Sequence, residues 1–220
     1  MDVARDLVDR QLADRGGDQC GRVDDLWLEW DARGAHLGAL ESGTRIVLDQ
    51  LGAAGRLLQR IGGARAQRSR TIEWASVARV ERTRLVLAVV PALAIDKRFP
   101  EPGSRRYSAV ARLPVIDAAG ERRSVLDVRC ETAIGGAGPR VLGLIACRHT
   151  WLRTLGMKRY DAAGVPLADL QSHARFVPWS AVAEVSDDIR LRVLFHELPR
   201  LGDVPDPGPP PWPRSDPGAP

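Results

Sequence analysis

Aromatic side chains are scarce in this sequence, at 5% of its residues. A core built from it must be filled by Val, Leu, Ile and Ala, and the 44% hydrophobic fraction is ordinary for a globular chain. Cysteine is nearly missing. Cys20, Cys130 and Cys147 are odd in number and fit no zinc spacing, which points to a reduced, cytosolic compartment. Long apolar runs are missing too. The longest, Leu85 to Ile95, is about half of the ~20 residues a helix needs to cross a bilayer. The opening residues, Met1 to Asp6, lack the basic region and apolar run of a signal peptide. Charge of one sign is in small excess, with 32 basic against 28 acidic residues and a net +4. That excess does not by itself make a nucleic-acid binder, because phosphate affinity depends on clustering. The expectation is a cytoplasmic protein without a transmembrane segment, with peripheral attachment to a membrane protein left open.

What the sequence does contain is a duplication. A length of 220 residues fits one large domain or two small ones. Residues 199–220 are rich in proline, which removes backbone donors and bars sheet and helix interiors. They read as a disordered or extended tail, with Trp212 as a candidate anchor for a groove-type partner. A second break falls near Phe99-Pro100-Glu101-Pro102-Gly103-Ser104, which has loop chemistry. The remaining halves, 1–98 and 108–198, share landmarks in the same order. Asp14-Arg15-Gly16-Gly17 matches Asp117-Ala118-Ala119-Gly120. The block Val23–Leu28 matches Val125–Cys130, which aligns Asp25 with Asp127 and Leu28 with Cys130. His36-Leu37-Gly38-Ala39-Leu40 matches Val141-Leu142-Gly143-Leu144-Ile145. Ile72-Glu73-Trp74 through Val80 matches Val177-Pro178-Trp179 through Val185, with Val three and six residues after each Trp.

Each half reads as several short strands with a hairpin at Asp31-Ala32-Arg33-Gly34, or at Gly135 to Pro139 in the second copy. Leu57, Leu58 and Ile61, and likewise Trp151, Leu152 and Leu155, have helical spacing. The fold class expected is mainly β: two tandem small barrels, each with a short helix, followed by the tail. Each half is expected to have its own core, with Trp74 and Trp179 buried in them.

These elements resemble the PRC-barrel family. The Asp-x-x-Gly turn, the strand after Gly21-Arg22-Val23-Asp24-Asp25-Leu26, the basic Leu-rich helix and Ile72-x-Trp74-x-x-Val77 carry the likeness. Arg140-Val141-Leu142-Gly143-Leu144 and Phe176-Val177-Pro178-Trp179 repeat it. The resemblance covers most of residues 1–90 and 108–195. It implies a binding or assembly module, in company with the cytoplasmic part of the photosynthetic reaction-centre H subunit, a ribosome-maturation factor and proteins attached to magnesium transporters. It brings no catalytic residue.

The residues themselves offer no motif for catalysis, a cofactor or a metal. Cys147-Arg148-His149 is half of a zinc site at best. Asp24-Asp25 would point to opposite faces of a strand, so they make no shared acid/base pair. The aligned Asp25 and Asp127 suggest a repeated hydrogen bond at a strand end or turn. From Gln50 to Ile72 there is no acidic residue, while Arg56, Arg60, Arg65, Arg68 and Arg70 are present; Lys158 and Arg159 fall in the matching region. That basic stretch is either a solvated surface or a face for an anionic partner. The function expected is a non-enzymatic adaptor for a protein partner, in a membrane transporter complex by the resemblance. The alternative is an RNA-processing or ribosome-assembly factor whose basic surface meets RNA or ribosomal protein. Oligomeric state is left open.

Overall fold

The computed structural model describes residues 1–43, 69–89, 102–132, 138–148, 174–206, 208 and 212–213. The protein is mainly β. The chain opens with a one-turn helix α1 (Val3–Asp6), then β1 (Gln11–Ala13), β2 (Gln19–Arg22), β3 (Asp25–Asp31) and β4 (Gly34–Ser42). β5 (Arg70–Glu73) leads through a 3-10 turn at Trp74–Ser76 into β6 (Val77–Val80) and β7 (Arg84–Leu87). The second half runs β8 (Ser104–Arg106), α2 (Tyr107–Val110), β9 (Pro114–Ile116), β10 (Arg122–Cys130), β11 (Val141–Cys147) and β12 (Ala174–Pro178). A second 3-10 turn, Trp179–Ala181, precedes β13 (Val182–Val185) and β14 (Ile189–Leu191), and β15 (Trp212–Pro213) comes last.

The two halves have one strand order. In the second it is a single sheet, β12-β11-β10-β9-β14-β13. In the first, β5-β4-β3 and β6-β7-β1-β2 are separate sheets, because the counterpart of β10 is broken between β2 and β3. Among the described residues, the one parallel pairing in each half is also the same: Leu12 with Leu85, and Val115 with Ile189. Even the irregularities repeat. β6 on β7 slips between Val77 and Arg79, and β13 on β14 slips between Val182 and Glu184. Among the described residues, no sheet closes by hydrogen bonds. In each half, though, the outermost strands are consecutive in the chain and separated only by the three-residue turn that starts at Trp74 or Trp179.

Register corrects one landmark. Leu40 pairs with Leu26 and Ile72, while Leu144 pairs with Val128 and Val177. Leu40 thus corresponds to Leu144, and Ala39 to Gly143, one residue away from the match read off the sequence. A slip of one residue exchanges the faces of a strand. The correct register puts Glu41 in the position of Ile145.

The buried residues of the two halves join in one cluster, which runs from Leu12, Leu26, Trp74 and Leu85 to Val115, Val128, Leu144 and Phe195. The reason is a reciprocal exchange of leading segments. β8 of the second half pairs with β3 of the first, Arg106 opposite Trp27. Asp2, the counterpart of Arg106, bridges Arg129, the counterpart of Trp27. α1 follows the one and packs on β10; α2 follows the other and packs on β3.

The tail also departs from expectation over residues 199–206. Leu201 is buried against Ile145, Cys147 and Ala174 on the outer face of β11 and β12. The carbonyls of Leu198, Pro199 and Pro205 accept hydrogen bonds from Arg175, the Phe176 amide and Arg129. Ile145 explains the cover. Its counterpart Glu41 can face Arg106, whereas an isoleucine there must be kept from water. Further on, β15 pairs with the edge of β6, Trp212 opposite Val80 and Pro213 opposite Arg79.

Candidate functional site

The two halves differ most where each covers its own tryptophan. Trp74 is fully buried. The backbone of Gly138 lies over it, in the left-handed region at φ +97°, and a Cβ there would run into the Leu37 carbonyl. Only glycine permits that approach. The counterpart of Gly138 is Gly34, where an added Cβ would meet nothing within 4 Å. That side is open, so Trp179 is only half-buried. The expectation of a core Trp179 holds in part: its side chain packs against the buried cluster and is partly accessible from the cleft.

Beside Trp179 the opening holds a second aromatic residue. Trp30 is the last residue but one of β3, and its backbone N–H donates to the Gly103 carbonyl at 3.0 Å. Its ring lies 6.5 Å from that of Trp179, tilted by 49°. The two rings form one wall of a cleft of about 490 Å³ between the β3–β4 hairpin and β13. The hairpin turn is held by Asp31, whose carboxylate accepts from the Arg33 and Gly34 amides at 2.7 and 3.2 Å. Arg33, Arg140 and Arg192 line the rim, with Asp31 and Glu184. Arg140 is paired with Glu131 at 2.7 Å, and Arg192 donates to the Ser180 carbonyl at 3.1 Å. Tryptophan faces, guanidinium donors and an exposed strand suit a chain segment with apolar or ring-shaped side chains and some negative charge.

The buried acidic residues serve the architecture. Asp25 accepts from the Ser108 amide at 3.0 Å and from the Ser108 hydroxyl. Its counterpart Asp127 accepts from the Ala4 amide at 2.8 Å. Each carboxylate therefore fastens the helix lent by the opposite half, and the repeated hydrogen bond expected at these positions is present across the halves. Burial pushes the Asp25 carboxyl up from its ordinary value, against its bonds to Ser108 and Leu26. Burial likewise pushes Glu41 up, opposed by Arg106 at 2.7 Å. Asp24 faces elsewhere, toward Arg22 and the Gly43 amide. Cys130 and Cys147 are buried, and burial pushes the Cys130 thiol up, so it behaves as a small apolar side chain.

Of the basic residues singled out from sequence, Arg70 is exposed at the start of β5, opposite Ser42. Arg56, Arg60, Arg65, Arg68, Lys158 and Arg159 lie outside the described residues, as do both helices expected around them. The cleft residues were missed. Trp30 had a detectable signal: its counterpart in the second half is Thr132, so this aromatic residue, like Trp27 against Arg129, is not repeated.

No protein-family model matches the chain, and no curated protein matches it either. Among the described residues, no helix is long and apolar enough to cross a membrane.

Proposed function

We propose that this chain is a non-enzymatic binding or adaptor protein made of two PRC-barrel-like units, and that it holds a protein partner in the Trp30–Trp179 cleft. The single observation that carries this reading is the divergence of the halves at that point. The same strands, turn and tryptophan recur, yet one copy is sealed by Gly138 and the other is left open and given a second tryptophan. Tryptophan and arginine are the residues that most often dominate binding energy at interfaces. The family resemblance adds a membrane transporter complex as the setting.

The test compares proteins retained by the immobilised full chain with those retained by a Trp30→Ala/Trp179→Ala variant of matched fold. A defined protein lost from the variant supports the reading, and identical sets overturn it. RNA retained by both forms and released steeply by salt would favour the ribosome-assembly alternative instead.

A further inference from the structure

Resting on that reading, we propose that the outer edge of β13, beside the cleft, takes an extended segment of a partner in which tryptophan is flanked by proline. The repeat supplies the argument. β6 and β13 occupy the same place in the two halves, each between its 3-10 turn and a hairpin partner, with the same slip in register. On β6 the edge is occupied by this chain's own Trp212–Pro213, opposite Val80 and Arg79. The corresponding positions on β13 are Val185 and Glu184, and among the described residues β13 pairs only with β14. An exposed edge is a template for a further strand, and addition of a peptide strand is a common mode of recognition.

The chemistry of the occupant follows from the one that fits the matching edge. Residues 209–216 read Pro-Pro-Pro-Trp-Pro-Arg-Ser-Asp. Proline suits an edge-bound segment because it needs no ladder bond on its outer side and is already extended. Next to β13, unlike β6, stand two tilted indole rings on which proline rings can pack. Arg33 at the rim suits a carboxylate such as the one this peptide carries. The source is a partner rather than the same chain. Each chain has one such segment and two matching edges, and its own copy is paired on β6.

The probe is a synthetic peptide of sequence 209–216 with a fluorescent label, titrated into the full chain. Binding should saturate at one peptide per chain. Replacing the peptide tryptophan by alanine should weaken it by roughly ten-fold or more, the effect of losing an interfacial tryptophan. Trp179→Ala in the protein should do the same. Hydrogen exchange should slow at residues 182–185 and stay unchanged at 77–80. Binding that perturbs tryptophan fluorescence without protecting 182–185 would overturn the edge assignment and leave the cleft reading standing. Protection at 77–80 instead would mean exchange with the chain's own segment and would overturn it too. No peptide binding, with a partner still lost from the double tryptophan variant, would overturn the chemistry assigned to the occupant. If the partner is retained by that variant as well, the cleft reading itself fails. A concentration-dependent dimer abolished by deleting residues 207–220 would reassign the edge to a second copy, against the proposal.

Discussion

His36 pairs through its backbone with Arg140, the residue that holds its own position in the other half. A residue that meets its counterpart lies on a two-fold relation, and contacts around it recur in pairs. Within the halves, Glu29 faces His36 at 3.5 Å and Glu131 faces Arg140 at 2.7 Å. Across them, Ser108 meets Asp25 as Ala4 meets Asp127. The pattern is that of a self-complementary interface between two copies, here within one chain. The side chains then diverge: Asp2 with Arg129 forms a buried ion pair at 2.8 Å, while its counterpart places Arg106 over the Trp27 ring at 5.5 Å.

The halves should stay together when the chain between them is cut. A protease site placed between residues 90 and 101, once cleaved, should yield fragments that co-elute and unfold in one transition. The exchanged segments and the common core require both. Fragments that separate under native conditions would contradict the exchange.

Asp127→Ala should destabilise the whole chain by about 2–3 kcal/mol, because it leaves buried donors without an acceptor. Those donors are the amides of Ala4 and Val128, with the Tyr107 hydroxyl at 3.3 Å. Urea denaturation would measure it. A loss below about 0.5 kcal/mol, the usual range for surface changes, would rule out this fastening role.

The two matched tryptophans should respond differently. Trp74→Ala empties a fully buried site and should cost roughly 3–5 kcal/mol. Trp179 is only partly buried at the cleft, and its replacement should cost no more than about 2 kcal/mol. Thermal and denaturant unfolding of both variants would decide, and equal losses would place Trp179 back in the core.

Asp117 should make stability fall in acid. Burial opposes its charge, but hydrogen bonds from the Phe195, Glu121 and Ala119 amides outweigh burial and hold its pKa below the ordinary 3.8. A folded pKa below the unfolded one means that the folded state binds fewer protons. Its stabilisation is then complete above the unfolded value and is lost as pH falls through the folded one. Asp117→Asn should be less stable than the parent at neutral pH, with the gap shrinking as the pH drops below 3.8. Unfolding curves from about pH 7 to about pH 3 would show this, and a gap independent of pH would count against it.

The sequence by itself determined the local elements. Asp14 to Gly17 and Asp117 to Gly120 form matching turns, with Gly17 and Gly120 at φ +92° and +86°, because only residues without a Cβ take that conformation easily. The Asp31–Gly34 hairpin and the strands around both tryptophans were legible for the same reason: backbone preference and alternation act over a few residues. The alignment of Asp25 with Asp127 was legible as well, though not what each would hold. Tertiary structure alone decided that the leading segments cross over and that the core is common to both halves. It also decided that Leu201 covers Ile145 and that Gly138 seals Trp74 while Gly34 leaves Trp179 open. Those outcomes depend on contacts between residues about a hundred positions apart. A matching pair of motifs looks the same in sequence whether its partner surface lies in its own half or in the other.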